Sequence, residues 1–328
     1  MTNLIPTAKN LLPANVLRRN VQEALKPIIK SNPYTALITR TSPTAFVFLI
    51  DQSGSMGEQI TYDGENCTKA EAVARVVNQT VYELVNRCVK GNEVRRYYDI
   101  ALVGYGDNDT ANLLWEGNLT GRTWVSPADL YENPKGHTPV EVENLIRGQI
   151  RKRTEQRPYW LEPVFAGRTP MKSAFELAET LLDGWLADHR GLDCYPPTVI
   201  NITDGAATDA KDDELITIAT RIKQRGTIDG HVLFLNVHLS GAAGNSVLFP
   251  AKVDELPHNT HARLLYDLSS EMPANYHMAI ANIRREDRAH KYIGMSFNAN
   301  VADLVRFMDI GTPTTVTGAL GSHIQPEP

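Results

Sequence analysis

Five large apolar residues in a row, Phe46-Val-Phe-Leu-Ile50, end in an acid, Asp51, and then in two hydroxyls at alternate positions, Ser53 and Ser55. A run this short that is apolar at every position, not every second one, reads as a strand buried on both faces of a parallel sheet. The chain leaves such a strand at the carboxyl edge of the sheet, where open α/β folds bind ligands. Asp51, Ser53 and Ser55 offer only oxygen, the ligand that hard divalent cations prefer. A magnesium-type site at the top of an α/β sheet is the expectation.

The rest of the chain alternates in the way that architecture requires. Thr68-Lys-Ala-Glu71 is a capping-box pattern that opens a helix to about residue 89, and Val73, Val77, Val81, Leu84 and Cys88 share one stripe of it. Residues 97–106 read as a second strand, and 107–125 as a hairpin around Leu113–Trp115 and Thr123–Val125. From about 126 to 167 the sequence is polar and punctuated by Pro127, Pro134, Pro139, Pro158 and Pro163. Within it, 139–152 reads as a helix. Order returns at Thr169-Pro170, which opens a helix whose buried face runs from Met171 to Trp185. Strands at 198–203, 231–239 and 292–297 then alternate with helices at 210–225, 261–270, 274–288 and 300–309. The expected fold is α/β, a doubly wound, mostly parallel sheet flanked by helices. Residues 1–40 read as an N-terminal helical extension, with an amphipathic stretch from Leu11 to Ile29. Residues 41–310 form the main domain, with an insertion at about 126–167, and 311–328 are a C-terminal tail.

Bulk properties narrow the function. The 328 residues, 42% hydrophobic and 22% charged, have ordinary globular composition, and a net charge of −5 does not favour nucleic acid or anionic membrane as partner. The three cysteines, Cys67, Cys88 and Cys194, are widely spaced and form neither a disulfide framework nor a zinc motif. Asn-x-Ser/Thr triplets occur at Asn66, Asn78, Asn108, Asn118 and Asn201, but Asn201 falls in a strand expected to be buried, so they read as chance. No N-terminal apolar run is long enough for a signal peptide or a membrane span, and a cytoplasmic location is expected.

Three strand-end or loop positions line up at one edge of the expected sheet. They are Asp51-x-Ser53-x-Ser55, Gly167-Arg-Thr169-Pro, and Ile202-Thr-Asp204-Gly. Singly, each has a plainer reading. Thr169 before proline is a good helix N-cap, Asp204-Gly205 a turn, and Ser53-Gly-Ser55 a loop or an anion-binding nest. Asp51 itself is expected at a solvent-facing strand end. Together, three hydroxyls and two carboxylates leave room for water and one outside ligand around an octahedral ion.

This pattern and its order resemble the metal-ion-dependent adhesion site of von Willebrand factor A domains, over roughly residues 44 to 310. The resemblance implies that Ser53, Ser55 and Thr169 hold Mg²⁺ directly or through water, with Mn²⁺ or Ca²⁺ as alternatives, and that Asp51 and Asp204 support it. It also implies a protein partner that supplies an Asp or Glu carboxylate to the ion. The ending from Phe297 to Met308 is similar to the stand-alone bacterial branch, which includes tellurite-resistance-associated members found alongside kinases and phosphatases. The function expected is therefore a protein-binding module in a stress-response or signalling system, not an enzyme. The alternatives are a metal-dependent phosphoesterase and a subunit of an ATPase-driven remodelling complex. Other chemistries lack their residues. A dehalogenase-type phosphatase needs a second acid where Ser53 stands, neither serine sits in a Gly-x-Ser-x-Gly elbow, no phosphate-binding Gly-Lys-Ser/Thr loop occurs, and Gly104-Tyr-Gly106 is too little for a dinucleotide fingerprint. His231 and His238 read as packed or surface residues, and no general base stands out near the proposed ion.

Overall fold

A computed structural model describes residues 27–62, 64–146, 149–240 and 246–311. Most of the expected amphipathic stretch from Leu11 and the tail from residue 312 lie outside them. In chain order, β1 (Thr44–Asp51) leads through α1 (Lys69–Cys88) to β2 (Tyr98–Tyr105) and the short β3 (Ala111–Leu113). A brief α2 (Pro127–Glu132) precedes two long strands, β4 (Gly136–Ile146) and β5 (Gln149–Tyr159). There follow α3 (Met171–Asp188), β6 (Thr198–Thr203), α4 (Asp212–Lys223), β7 (Leu233–Leu239), β8 (Val247–Leu248), α5 (Thr260–Leu268), α6 (His277–Arg284), β9 (Met295–Ala299) and α7 (Val301–Gly311).

Seven of these strands form one sheet in the order β8-β9-β7-β6-β1-β2-β3. The five central strands are parallel, while β8 and β3 run antiparallel at the edges. The chain builds outward from β1 to β2 and β3, then returns to the other side of β1 and builds through β6, β7 and β9. That is a doubly wound α/β sheet, as expected, and its direction of winding reverses between β1 and β6. Every residue of β1 is buried, and successive side chains serve opposite layers. Phe46, Phe48 and Ile50 pack toward α1 and α7, while Ala45, Val47 and Leu49 pack toward α3, α4 and α5. A strand with helices on both faces needs an unbroken apolar run, which explains the opening motif.

Residues 139–152 do not form the expected helix. They belong to a hairpin in which β4 pairs with β5 in register from Gly136 opposite Tyr159 to Ile146 opposite Gln149. Thr138, Val140 and Val142 place β-branched side chains at every second position, the period of a strand, and β5 supplies the matching partner. The expected hairpin between 113–115 and 123–125 is also absent. Leu113 pairs with Val103 and Val125 with Ile100, so both segments lie end to end along β2 and satisfy its open edge.

Residues 27–40 contain no helix and are strapped onto the domain. Lys30 forms an ion pair with the buried Asp229 at 2.8 Å, Thr35 N–H donates to the same carboxylate at 2.8 Å, and Ala36 and Ile38 sit in the core. The three cysteines are free and buried. Among the described residues no helix is long and apolar enough to cross a membrane.

Candidate functional site

The switch point between β1 and β6 carries the candidate residues. Ile50 lies opposite Ile202, so Asp51 at the end of β1 comes beside Thr203 at the end of β6, with Asp204 next in line. Thr203 Oγ1 donates to Asp51 Oδ2 at 2.7 Å, and the N–H of Ser53 donates to Asp51 Oδ1 at 2.9 Å. Beyond Asp51 the chain turns through a short 3₁₀ segment, Gly54–Gly57, and the two serines come together with hydroxyls 3.1 Å apart. Ser55 Oγ then donates to Asp204 Oδ1 at 2.7 Å. Asp51, Ser53, Ser55 and Asp204 thus form one continuous chain of oxygens linked through Thr203 and the Ser53 amide.

Thr169 arrives from a third segment that is clamped to the other two. Gly54 N–H donates to Gly167 O at 3.1 Å, and Ala166 N–H donates to Gln52 O at 2.6 Å. Gly167 has φ +75°, and a Cβ there would stand 2.8 Å from Gly106 O, so only glycine lets this loop reach the first. On its other side Thr169 is joined to the loop after β6. Its N–H donates to Thr208 Oγ1 at 3.1 Å, its carbonyl accepts from Thr208 N–H at 2.9 Å, and a Cβ on Gly205 would lie 3.9 Å from its Oγ1. Gly104 and Gly106, unremarkable as a sequence fingerprint, serve the same closeness. A Cβ at either would run into Gln52.

Burial shapes the electrostatics. Asp51 is 1% exposed, not solvent-facing, because Thr203 at the end of β6 and the 163–169 loop close over the strand end; its carboxylate is satisfied by Thr203 and Ser53. That burial pushes its pKa up to about 6; the hydrogen bonds from Ser53 and Thr203 pull it back down in part, and the charge of Asp204 adds a little upward. The Asp204 side chain has no solvent exposure. Its second oxygen, Oδ2, faces the ammonium of Lys69 at 3.0 Å, and Lys69 also pairs with Glu58. Burial works against the Lys69 charge, but Glu58 and Asp204 outweigh it and hold its pKa above the ordinary lysine value. His238 lies on the neighbouring strand, stacked on Phe297 at 4.3 Å and edge-on to His261 at 5.1 Å. Burial, helped by His261, pushes its pKa down to about 4, so it is neutral at pH 7.

Lys69, Thr203 and Glu58 were not named from the sequence. Lys69 follows a helix cap and Thr203 closes a strand, so each has a complete local explanation and nothing marks it as part of a site. Among the described residues no three His, Cys, Asp or Glu side chains gather to hold a metal ion. The donor set here is of another kind, two carboxylates with neutral hydroxyls.

The fold is a doubly wound α/β sheet that carries these residues at its switch point, between β1 and β6. No family model matches the sequence, and no curated protein matches it. Among solved structures the chain is similar to von Willebrand factor type A from Catenulispora acidiphila, at 14% identity over 64% of this chain and 39% of that one, with a TM-score of 0.33. It is also similar to the vWF domain of the type V pili tip protein Mfa5 from Porphyromonas gingivalis, at 17% identity over 51% of this chain and 39% of that one, TM-score 0.27. A third is an uncharacterized membrane spanning protein from Vibrio fischeri, at 18% identity over 60% of this chain and 71% of that one, TM-score 0.24. The chain spans 39% of the length of each of the first two. At these values the fold assignment rests on the strand order and the crossovers themselves.

Proposed function

We propose that this domain is a protein-binding module in which a divalent cation, Mg²⁺ or Mn²⁺ in its place, docks a carboxylate from a partner protein. The observation that carries this reading is the convergence of Asp51, Ser53, Ser55 and Asp204 into one oxygen cluster at the switch point, with Thr169 clamped beside them. The donors fit such an ion: every one is oxygen, and the three that would hold it are neutral hydroxyls, which leaves part of its charge for an outside acid. Ser53, Ser55 and Thr169 would hold it, with Asp51 and Asp204 in support. When bound, the ion supplies a fixed positive charge that an outside Asp or Glu can meet. The chain's own residues do the rest. Thr203 and the Ser53 amide orient Asp51, and Gly167 and Ala166 lock the Thr169 loop against the serine loop. Exposed Val164 and Phe165 stand on that same loop and offer apolar contact beside the site. The likeness of the Phe297–Met308 ending to the stand-alone bacterial branch supports a stress-response or signalling setting with kinase or phosphatase partners; an ATPase-driven remodelling complex is the alternative setting.

The test is capture of a partner by the immobilised protein in Mg²⁺ and in EDTA, followed by calorimetry on the pair. Binding should require the metal, fall sharply in Thr169→Ala, and weaken by about 2–5 kcal/mol when one acidic residue of the partner is neutralised. Equal affinity in Mg²⁺ and EDTA would place the partner elsewhere. Metal-dependent hydrolysis of a phosphoester, lost in Asp51→Ala, would make the domain an enzyme instead.

A further inference from the structure

The first residue of α1 reaches into the candidate site. Lys69 is held at that position by the Thr68 cap, where Thr68 Oγ1 accepts from Glu71 N–H at 3.1 Å and Thr68 N–H donates to Glu71 at 2.7 Å. Lys69 is 4% exposed, so its stem is enclosed and its ammonium has few places to go. Two acids receive it. Asp204 Oδ2 lies 3.0 Å away inside the site, and Glu58 pairs with it from the rim, where the Glu58 side chain is 57% exposed. With Ser55 donating to the other oxygen, both oxygens of Asp204 are engaged.

We propose that Lys69 is a tethered competitor of the divalent ion: it neutralises Asp204 in the metal-free protein, and the ion enters by displacing it onto Glu58. This rests on the divalent-ion reading of the site. One buried carboxylate does not serve two adjacent cations well, because an ammonium and a divalent ion a few ångströms apart repel strongly where water is scarce. Without any cation, a buried Asp204 would be left unpaired, which is costly. Lys69 removes that cost in the empty site and adds a barrier to filling it. Glu58 provides the second seat, since it keeps the ammonium paired after it leaves Asp204. Metal affinity is thereby held down, and the site responds to the supply of metal and partner instead of staying permanently loaded.

Mn²⁺ binding to the whole chain, read from loss of the free-ion electron paramagnetic resonance signal, tests this directly and needs no partner. Lys69→Met keeps the enclosed stem and removes the charge, and it should bind Mn²⁺ about tenfold tighter or more, the scale expected from relieving a like-charge juxtaposition. Lys69→Arg keeps the charge and should stay near wild type. In EDTA Lys69→Met should melt below wild type, and Mn²⁺ should raise its melting temperature by more than it raises that of wild type. Glu58→Gln, at an exposed position that does not endanger folding, should weaken Mn²⁺ binding because the second seat is lost. Wild-type binding with equal or weaker binding by Lys69→Met overturns the competitor and leaves the divalent-ion reading standing. Absence of binding in wild type and in all three variants overturns both. Should Lys69→Met fail to fold with or without metal, an unchanged affinity in Glu58→Gln overturns the proposal and a weakened one supports it.

Discussion

Asp51 shows how burial converts one side chain into a pH-dependent stability term. Its folded pKa of about 6 stands above the ordinary value of 3.8. The sign follows from which state binds the proton more tightly, and here the folded state does. The contribution is fully present below about pH 4 and is lost as pH rises through 6, after which it stays lost. A shift of that size corresponds to about 3 kcal/mol, and Asp51 is too enclosed for solvent to screen it. In EDTA, urea unfolding of Asp51→Asn should lack this decline. Wild type should lose about 3 kcal/mol relative to the variant between pH 4 and pH 7. Parallel pH profiles for the two proteins would show that Asp51 is not the group responsible. Saturating Mg²⁺ should shrink the difference, because a bound cation favours the ionised acid.

At the scale of elements, the strands beneath the site are tied together by buried side chains as well as by their ladders. Tyr105 Oη on β2 donates to Asn201 Oδ1 on β6 at 2.7 Å. Asn201 Nδ2 donates to Asn236 Oδ1 on β7 at 3.0 Å, and Asn236 Nδ2 donates to Ser269 Oγ, just past α5, at 2.9 Å. Both asparagines are fully buried, so each lost bond strands a polar group away from water. Asn201→Leu should therefore destabilise by about 2–5 kcal/mol, since Tyr105 and Asn236 each lose a partner. Adding Tyr105→Phe should recover part of this, and a double-mutant cycle in urea measures the coupling. Strict additivity of the two substitutions would mean the chain of bonds does not act as a unit. Asn201 also illustrates a sequence reading that holds: the strand around it is buried, as its apolar neighbours indicated.

The described residues form a sheet domain with one long projection. β4 and β5 pair with each other and not with the central sheet, and they meet α1 through a few side chains. Arg157 donates to Gln79 at 2.6 Å and lies over the Tyr82 ring at 5.4 Å. The Asn78 side chain binds the backbone of Trp160 and Leu161, which lie beyond the hairpin. Replacing residues 138–157 with a two-residue turn should thus cost little stability, because Gly136 and Tyr159 already face each other and the Asn78 contacts survive. A loss of about 1–2 kcal/mol would lower the melting temperature by roughly 1.5–3 °C in a chain of this size. Mn²⁺ affinity should be unchanged, and partner capture in Mg²⁺ should fall if the hairpin helps select the partner. A collapse of the melting transition would instead make the hairpin part of the folding core.

What the sequence determined by itself is local. An unbroken apolar run is a strand covered on both faces, a Thr-x-x-Glu box starts a helix, and the residue after a buried strand stands at the sheet edge. From those rules came the doubly wound fold and the positions of Asp51, Ser53, Ser55, Thr169 and Asp204 at three strand-end or loop positions. Tertiary structure decided what depends on neighbours distant in the chain. Thr138 to Val142 became a strand because β5 was there to pair with it. Asp51 became a buried acid because Thr203 and the 163–169 loop close over it. Lys69 entered the site because α1 begins beside the loop after β6. Local propensity carries no information about such meetings, since they are set by strand order and by which loops the switch point brings together.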